Sequence, residues 1–290
     1  MQLLPAIGLI VAALSAAGFA LAADNVSKPQ RIASMNLCTD EQVLRLADRR
    51  NIASITWQSR DPNSANLVHL ARDIPINHGL AEEIIPLKPD LVLAGIYTTR
   101  APVALLKRAG IRVVGADVPK NFDDVRQQYR EIAELLGEKE RGEHIIAEMD
   151  RNLARLTRER PSVPLTAILL NPNGFTVGRG SVIDEVITRA GLENMAVRLG
   201  IGEYGQLPLE IITMNPVDVL IVSSYRDGPP AMATELLRHP VLSRLSDRTR
   251  AVVIPDRLWN CGGPPLVEAV EQLMRVAKEV RGKVPTNGAN

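Results

Sequence analysis

The sequence predicts an α/β protein of two lobes, each built on a parallel β-sheet, with one long α-helix joining the lobes and a cleft between them. Three observations lead to this fold class. The chain has 290 residues, which is enough for two domains of ordinary size. Short runs of Val, Ile and Leu alternate with helical patterns, as in parallel sheets covered by helices. A helical stretch without strand character divides these runs into two series.

The first 22 residues predict a cleaved signal peptide. Residues 6–22 form an uncharged apolar run, and Ala20, Leu21 and Ala22 supply a cleavage site of the small-x-small type. The run is shorter than the ~20 residues that span a bilayer comfortably, which favours cleavage over an uncleaved anchor. No Lys or Arg precedes the run, and no Cys lies near the cleavage point. We therefore expect a free periplasmic protein.

Apolar runs place strands in both halves of the mature chain. The N-terminal lobe is predicted to cover residues 23–121, with strands near 31–35, 52–56, 90–95 and 111–115. The C-terminal lobe is predicted to cover residues 162–286, with strands near 165–170, 217–222 and 250–254. Residues 287–290 form a tail. Both lobes are expected to be Rossmann-like.

Residues 122–161 are predicted to be an interdomain helical segment. Asn121 is a suitable N-cap, with acidic residues in the first turn that follows. The stretch 138–160 places an apolar stripe at spacings of three and four: Ile145, Ile146, Met149, Leu153 and Leu156. A helix of this length would run about 35 Å at ~1.5 Å per residue. That length suits a strut between two lobes.

Two segments of the chain resemble each other. Residues 79–95 and 207–223 align without gaps, so that Glu82 matches Glu210 and Asp90 matches Asp218. An apolar strand run follows each pair of acids. The pattern indicates a duplicated unit, although two ordinary helix–turn–strand units could also agree by chance.

Several stretches carry a resemblance to a known family: RIASMNLCTDEQVLRLADRRNIASIT, HGLAEEIIPLKPDLVLAG, LLKRAGIRVVGAD and WNCGGPPLVEAVEQL. Together with the strut helix, they make the mature chain resemble the helical-backbone (class III) periplasmic substrate-binding proteins of ABC importers for cobalamin, ferric siderophores and haem. The resemblance implies capture of a metal chelate and delivery to a permease–ATPase complex in the inner membrane. It also implies that Glu82 and Glu210 dock into Arg-lined pockets of the permease, with Glu83 as an alternative first contact.

The loops after the strands are the expected ligand site, because open α/β sheets bind ligands beyond the carboxyl ends of their strands. Aromatic rings there would form walls for a bulky ligand, and neighbouring Arg side chains would hold its carboxylates or phosphates. The predicted ligand-binding residues are Asn36, Cys38, Trp57, Tyr97, Arg100, Phe175, Arg179, Tyr225, Arg226 and Trp259.

The two cysteines, Cys38 and Cys261, both lie in predicted loops after strands. A periplasmic location permits a disulfide bond, and a bond between these loops would tie the lobes together. The alternative is two free thiols available to a soft metal or to the ligand.

Composition excludes several other functions. Lys and Arg total 34 against 33 Asp and Glu, so no global field attracts nucleic acid. Four His are too few for a dedicated transition-metal site unless carboxylates complete it; a bare-metal binder of the same architecture remains the first alternative. The chain has no GxSxG, GxxxxGK[ST], HExxH or strand-following GxGxxG motif, which disfavours an enzyme. We expect a monomer without catalytic residues, a cofactor or a metal of its own.

Overall fold

The computed structural model describes residues 28–223, 235, 237, 239, 240, 242 and 249–283. The predicted signal peptide, the tail, Tyr225 and Arg226 lie outside the described residues. Within the described ranges, no helix is both long enough and apolar enough to cross a membrane.

The N-terminal lobe contains a five-stranded parallel sheet with strand order β3-β2-β1-β4-β5. Its strands are β1 (Ile32–Ser34), β2 (Ile52–Thr56), β3 (Ile76–Asn77), β4 (Leu91–Gly95) and β5 (Val113–Ala116). Its helices are α1 (Leu37–Leu46), α2 (Val68–Ala71), α3 (Ala81–Ile84) and α4 (Arg100–Arg108). The four strands predicted here are confirmed. Sequence patterns missed β3 because two residues are too short to show any periodicity.

The C-terminal lobe contains a four-stranded parallel sheet, in the order β11-β10-β6-β8, and a separate antiparallel pair, β7 with β9. Its strands are β6 (Leu165–Leu170), β7 (Phe175–Val177), β8 (Leu192–Asn194), β9 (Tyr204–Gln206), β10 (Val219–Ser223) and β11 (Arg250–Ile254). Its helices are α7 (Val182–Arg189), α8 (Met195–Arg198), α9 (Leu209–Met214) and α10 (Pro265–Lys283). The three predicted strands are confirmed, whereas the three-residue strands were missed.

Two helices link the sheets, α5 (Phe122–Leu135) and α6 (Lys139–Arg158). Four residues of the predicted stripe on α6 are buried, and Ile145 is partly buried. One end of α6 contacts the N-terminal lobe, where the Arg141 guanidinium donates to the Leu46 carbonyl over 2.6 Å. The other end contacts α10, where Arg155 pairs with Glu271 at 3.2 Å. The helix therefore spans both lobes as a strut.

The duplicated acids have equivalent structural roles. Asp90 precedes β4, and its carboxylate accepts the backbone N–H groups of Gln30 and Arg31 at 2.7 and 3.0 Å, next to β1. Asp218 precedes β10, and its carboxylate accepts the N–H and the hydroxyl of Thr166, in β6, at 2.7 Å each. Each acid thus fixes the start of the neighbouring parallel strand, which supports the interpretation of a duplicated unit.

The contact between α5 and α6 depends on Gly142. A Cβ atom at this position would lie 2.5 Å from the Ala133 Cβ atom, which cannot rotate away. We expect Gly142→Ala to lower the free energy of unfolding by about 1 to 3 kcal/mol, because overpacking outweighs the helix propensity gained. Chemical denaturation measures this loss. The matched control is Gly282→Ala in α10, where a Cβ atom meets nothing within 4 Å and stability should rise slightly. Equal effects of the two substitutions would contradict the proposed packing.

Candidate functional site

A cleft lies between the lobes at the carboxyl ends of the strands. Its inner part has a volume of about 380 Å³ and is lined by both lobes, by the loops after β1, β4 and β5 and by the region from Asn171 to α7. Its outer part has a volume of about 640 Å³. The two parts are continuous because they share seven lining residues: Ile96, Tyr97, Ala116, Asp117, Val118, Pro119 and Gln128.

Aromatic rings from both lobes line this cleft. The N-terminal lobe contributes Tyr97, which follows β4 and is 78% exposed. The C-terminal lobe contributes Phe175 and Tyr204, whose ring centroids lie 6.1 Å apart in a tilted arrangement. Partial burial, together with the nearby Glu203 and Tyr97, raises the pKa of the Tyr204 hydroxyl. Trp259 also lines the cleft, but it is 4% exposed and forms part of its floor.

Side-chain amides supply the polar part of the inner cleft. The Gln42 amide donates to the Gln128 carbonyl oxygen at 2.6 Å, and Gln128 in turn donates to the Asp117 backbone carbonyl at 2.6 Å. Asn36 caps α1 by accepting the Cys38 N–H at 2.9 Å. A Cβ atom at Gly95 would lie 2.9 Å from the Asn36 side chain, so glycine leaves room for that cap. These amides can donate to and accept from an uncharged polar ligand.

The structure brings half of the predicted ligand-binding residues to the cleft: Asn36, Cys38, Tyr97, Phe175 and Trp259. The other predicted residues that the structure describes do not line it. Trp57 is half exposed in the turn after β2, and Arg100 begins α4. Arg179 lines a separate surface pocket with Arg160 and Arg198, although its loop follows a strand as predicted.

Sequence reasoning missed several lining residues. Asp117, Val118 and Pro119 follow β5, so the rule that identified the other loops would have found them. Gln128 lies on α5, which the sequence predicts only as a linking helix. The sequence places Tyr204 in a loop before α9 without including it among the predicted ligand-binding residues, and the structure places it in the short strand β9. No sequence signal places an interior residue of a linking helix in a cleft.

The cysteines meet at the inner edge of the cleft, where the structure joins Cys38 and Cys261 by a disulfide bond with a Cα–Cα distance of 5.1 Å. The adjoining loop of the C-terminal lobe packs directly on the N-terminal half of the molecule. A Cβ atom at Gly262 would overlap Pro119, and one at Gly263 would lie 2.7 Å from the Tyr129 hydroxyl. The lobes are therefore in close contact at this point.

The predicted docking acids lie on the surface. Glu82 and Glu210 are exposed in the first turns of α3 and α9, and neither carboxylate has a partner among the described residues. Glu83 is engaged instead, since its carboxylate accepts the His78 backbone N–H at 2.6 Å and contacts the His78 ring at 2.8 Å. This arrangement favours Glu82 over Glu83 as the available group.

Asp40 lies in α1 behind the cleft wall, and its carboxyl group is buried. This burial raises the pKa of Asp40 to about 6. Its Oδ2 atom accepts bonds from the Thr56 N–H, the Thr56 hydroxyl and the Ser59 hydroxyl, whereas Oδ1 has no partner in the described part of the chain. The folded protein therefore holds this proton more tightly than the unfolded chain does. The resulting stabilisation is complete below the ordinary pKa of 3.8 and is lost as the pH rises through about 6.

We expect Asp40→Asn to remove this pH dependence. The free energy of unfolding of the wild type, relative to that of the variant, should fall by about 2 kcal/mol between pH 4 and pH 7.5. Denaturation curves at a series of pH values measure the difference. Parallel pH profiles for the two proteins would contradict a raised pKa at Asp40.

The fold and the cleft define a two-lobed binding protein, and comparison with known families agrees. The family model described as periplasmic binding protein matches residues 32–247. The chain belongs to this family. Its α/β architecture of two lobes with parallel sheets matches the class III periplasmic binding protein structures, as the sequence predicted.

Individual relatives are distant. An uncharacterized ABC transporter substrate-binding lipoprotein of Bacillus subtilis is 23% identical over 256 residues, which cover 85% of this chain and 79% of that protein. A cobalamin-binding protein of Halobacterium salinarum is 25% identical over 217 residues, which cover 73% of this chain but 58% of that protein. A periplasmic haem-binding protein of Roseiflexus sp. RS-1 in apo form has the same fold, with a TM-score of 0.70 and 23% identity over 87% of this chain and 98% of that one.

Proposed function

We propose that this protein is the periplasmic substrate-binding component of an ABC importer and captures a metal chelate, namely a ferric siderophore, cobalamin or haem. The cleft between the lobes carries the proposal. Tyr97 from one lobe and Phe175 and Tyr204 from the other supply ring surfaces that a flat or bulky organic ligand can cover. Related proteins that bind cobalamin or haem support this ligand class.

A bare metal ion suits this site less well. Among the described residues, no group of three or more His, Cys, Asp or Glu side chains is placed to hold a metal ion. The disulfide bond also removes both cysteine thiols from the possible ligands. A chelate brings its own donor atoms, so the protein needs only to surround it.

We propose that Glu82 and Glu210, which are exposed, dock the protein on its permease. Glu82 and Glu210 occupy equivalent helices that precede β4 and β10 in the two halves. Carboxylates on both lobes can form charge-assisted hydrogen bonds with Arg side chains of a two-fold symmetric permease. The signal peptide predicted for residues 1–22 and a disulfide bond, which persists in oxidising compartments, support a periplasmic location.

Ligand titration tests the proposed function. Calorimetry or fluorescence quenching with cyanocobalamin, haemin and a panel of ferric siderophores should give saturable one-to-one binding to at least one of them. Tyr97→Ala combined with Phe175→Ala should weaken that binding by about tenfold or more, because aromatic anchors in a cleft contribute much of the affinity. The control is Trp57→Ala, which removes a half-exposed ring outside the cleft lining. Binding that all variants retain equally would contradict the site.

A further inference from the structure

Among the described residues, the charged side chains that line the cleft are mainly acidic. Asp117 follows β5, Asp124 and Glu131 lie on α5, and Glu203 precedes β9 on the opposite lobe. Lys120 is the single basic residue among the described lining residues. Among the described residues that line the inner part of the cleft, only Asp117 is charged.

The positive charge of Lys120 is already engaged. Its Nζ atom lies 3.5 Å from the Glu203 carboxylate, so the pair bridges the two lobes at the outer cleft. The Asp124 carboxylate accepts the Lys120 backbone N–H at 2.9 Å, and the Glu131 carboxylate accepts only from the uncharged Gln127 amide, at 2.9 Å. The carboxylate of Asp117 is exposed and has no partner in the described part of the chain. Against the described lining, a ligand with carboxylates would therefore meet negative charge that no described cation beyond Lys120 offsets.

We infer that the cleft selects chelates without negative charge, whose periphery carries amides or other neutral polar groups. The inference rests on the proposed function and names the ligand class of the same site. Like charges a few ångströms apart repel more strongly once the ligand has displaced the water between them. The partly exposed amides of Asn36 and Gln128 can instead exchange hydrogen bonds with peripheral amides.

Matched pairs of ligands that differ only in charge test the inference. Cyanocobalamin is compared with its monocarboxylic acid, in which one peripheral amide is hydrolysed, and haemin is compared with haemin dimethyl ester. Within each pair that binds, the member with fewer carboxylates should bind at least about tenfold more tightly at low salt. High salt should narrow the difference, because it screens exposed charges.

Variants of the cleft acids test which carboxylates cause the selectivity for ligands without negative charge. Asp117→Asn combined with Glu131→Gln should raise the affinity for the carboxylate member of a pair and leave its neutral partner within about twofold. Glu140→Gln combined with Glu148→Gln, on the outer surface of α6, removes the same number of charges away from the cleft lining and should change neither affinity.

The outcomes separate the two proposals. Equal or tighter binding of the carboxylate member in the wild type would overturn the charge inference while the proposed function stands. If the Asp117→Asn, Glu131→Gln variant leaves the ratio of the two affinities within a pair unchanged, the charge inference is also overturned. Failure of every neutral, cationic and anionic chelate to bind would overturn the proposed function itself.

Discussion

Loss of the bond between Cys38 and Cys261 is expected to lower the free energy of unfolding by about 5 kcal/mol, because the bond closes a loop of more than 200 residues. It limits the conformations of the unfolded chain, and it holds α1 against the loop that begins at Cys261. Chemical denaturation of the Cys38→Ala, Cys261→Ala double variant measures the effect.

Reduction of the wild-type protein is the matched control, since it breaks the bond without changing the sequence. The reduced wild type and the double variant should have similar unfolding midpoints, both below that of the oxidised protein. Alkylation of the denatured protein without a reductant should label no thiol. Labelling of two thiols would show that the cysteines are free in the mature protein and would revive their assignment as ligand groups.

Replacement of both Glu82 and Glu210 is expected to lower uptake strongly while leaving ligand binding intact. The Glu82→Ala, Glu210→Ala variant should reduce ligand uptake in cells by about tenfold or more, since each lost charge-assisted contact weakens the complex with the permease by about 1 to 3 kcal/mol. Ligand affinity in solution should stay within about twofold of the wild type, because neither residue lines the cleft in the described ranges.

The matched control for this variant is Glu140→Ala combined with Glu148→Ala, two exposed acids of α6. It removes the same number of negative charges from a different surface and should support normal uptake. Equal uptake by the docking variant and the control would contradict the docking assignment. A loss of ligand affinity in the docking variant would show that its effect does not arise at the permease.

The central strands and the strut could be predicted because their patterns are long. Strands such as β4 and β6 are continuous apolar runs buried by helices on both faces of the sheet. The stripe on α6 repeats over about three turns, so its period identifies the helix, and the length of the 20-residue helix indicates a strut. The strands β3, β7, β8 and β9 have two or three residues each, and their pairing depends on tertiary contacts that no local pattern encodes.

Only part of the cleft could be predicted from the sequence. The ends of strands can be recognised from local patterns, whereas the directions of side chains depend on the tertiary structure. Tyr97 follows β4, Phe175 begins β7 a few residues after β6, and both line the cleft near the ends of parallel strands, as the rule for open sheets implies. Arg179 also follows a strand, yet it lines a pocket on another face of the lobe. The described lining of the cleft therefore contains amides and acids, whereas the sequence predicts Arg groups that hold carboxylates.

Native mass spectrometry of the protein purified from its own cells can show whether the cleft holds one organic chelate between the aromatic rings of the two lobes. The predicted result is a one-to-one adduct with the mass of an organic metal complex, which is retained by Trp57→Ala and lost from the Tyr97→Ala, Tyr204→Ala variant. An adduct with the mass of a bare metal ion, or an organic adduct that the cleft variant retains in full, would show that these rings do not hold an organic chelate.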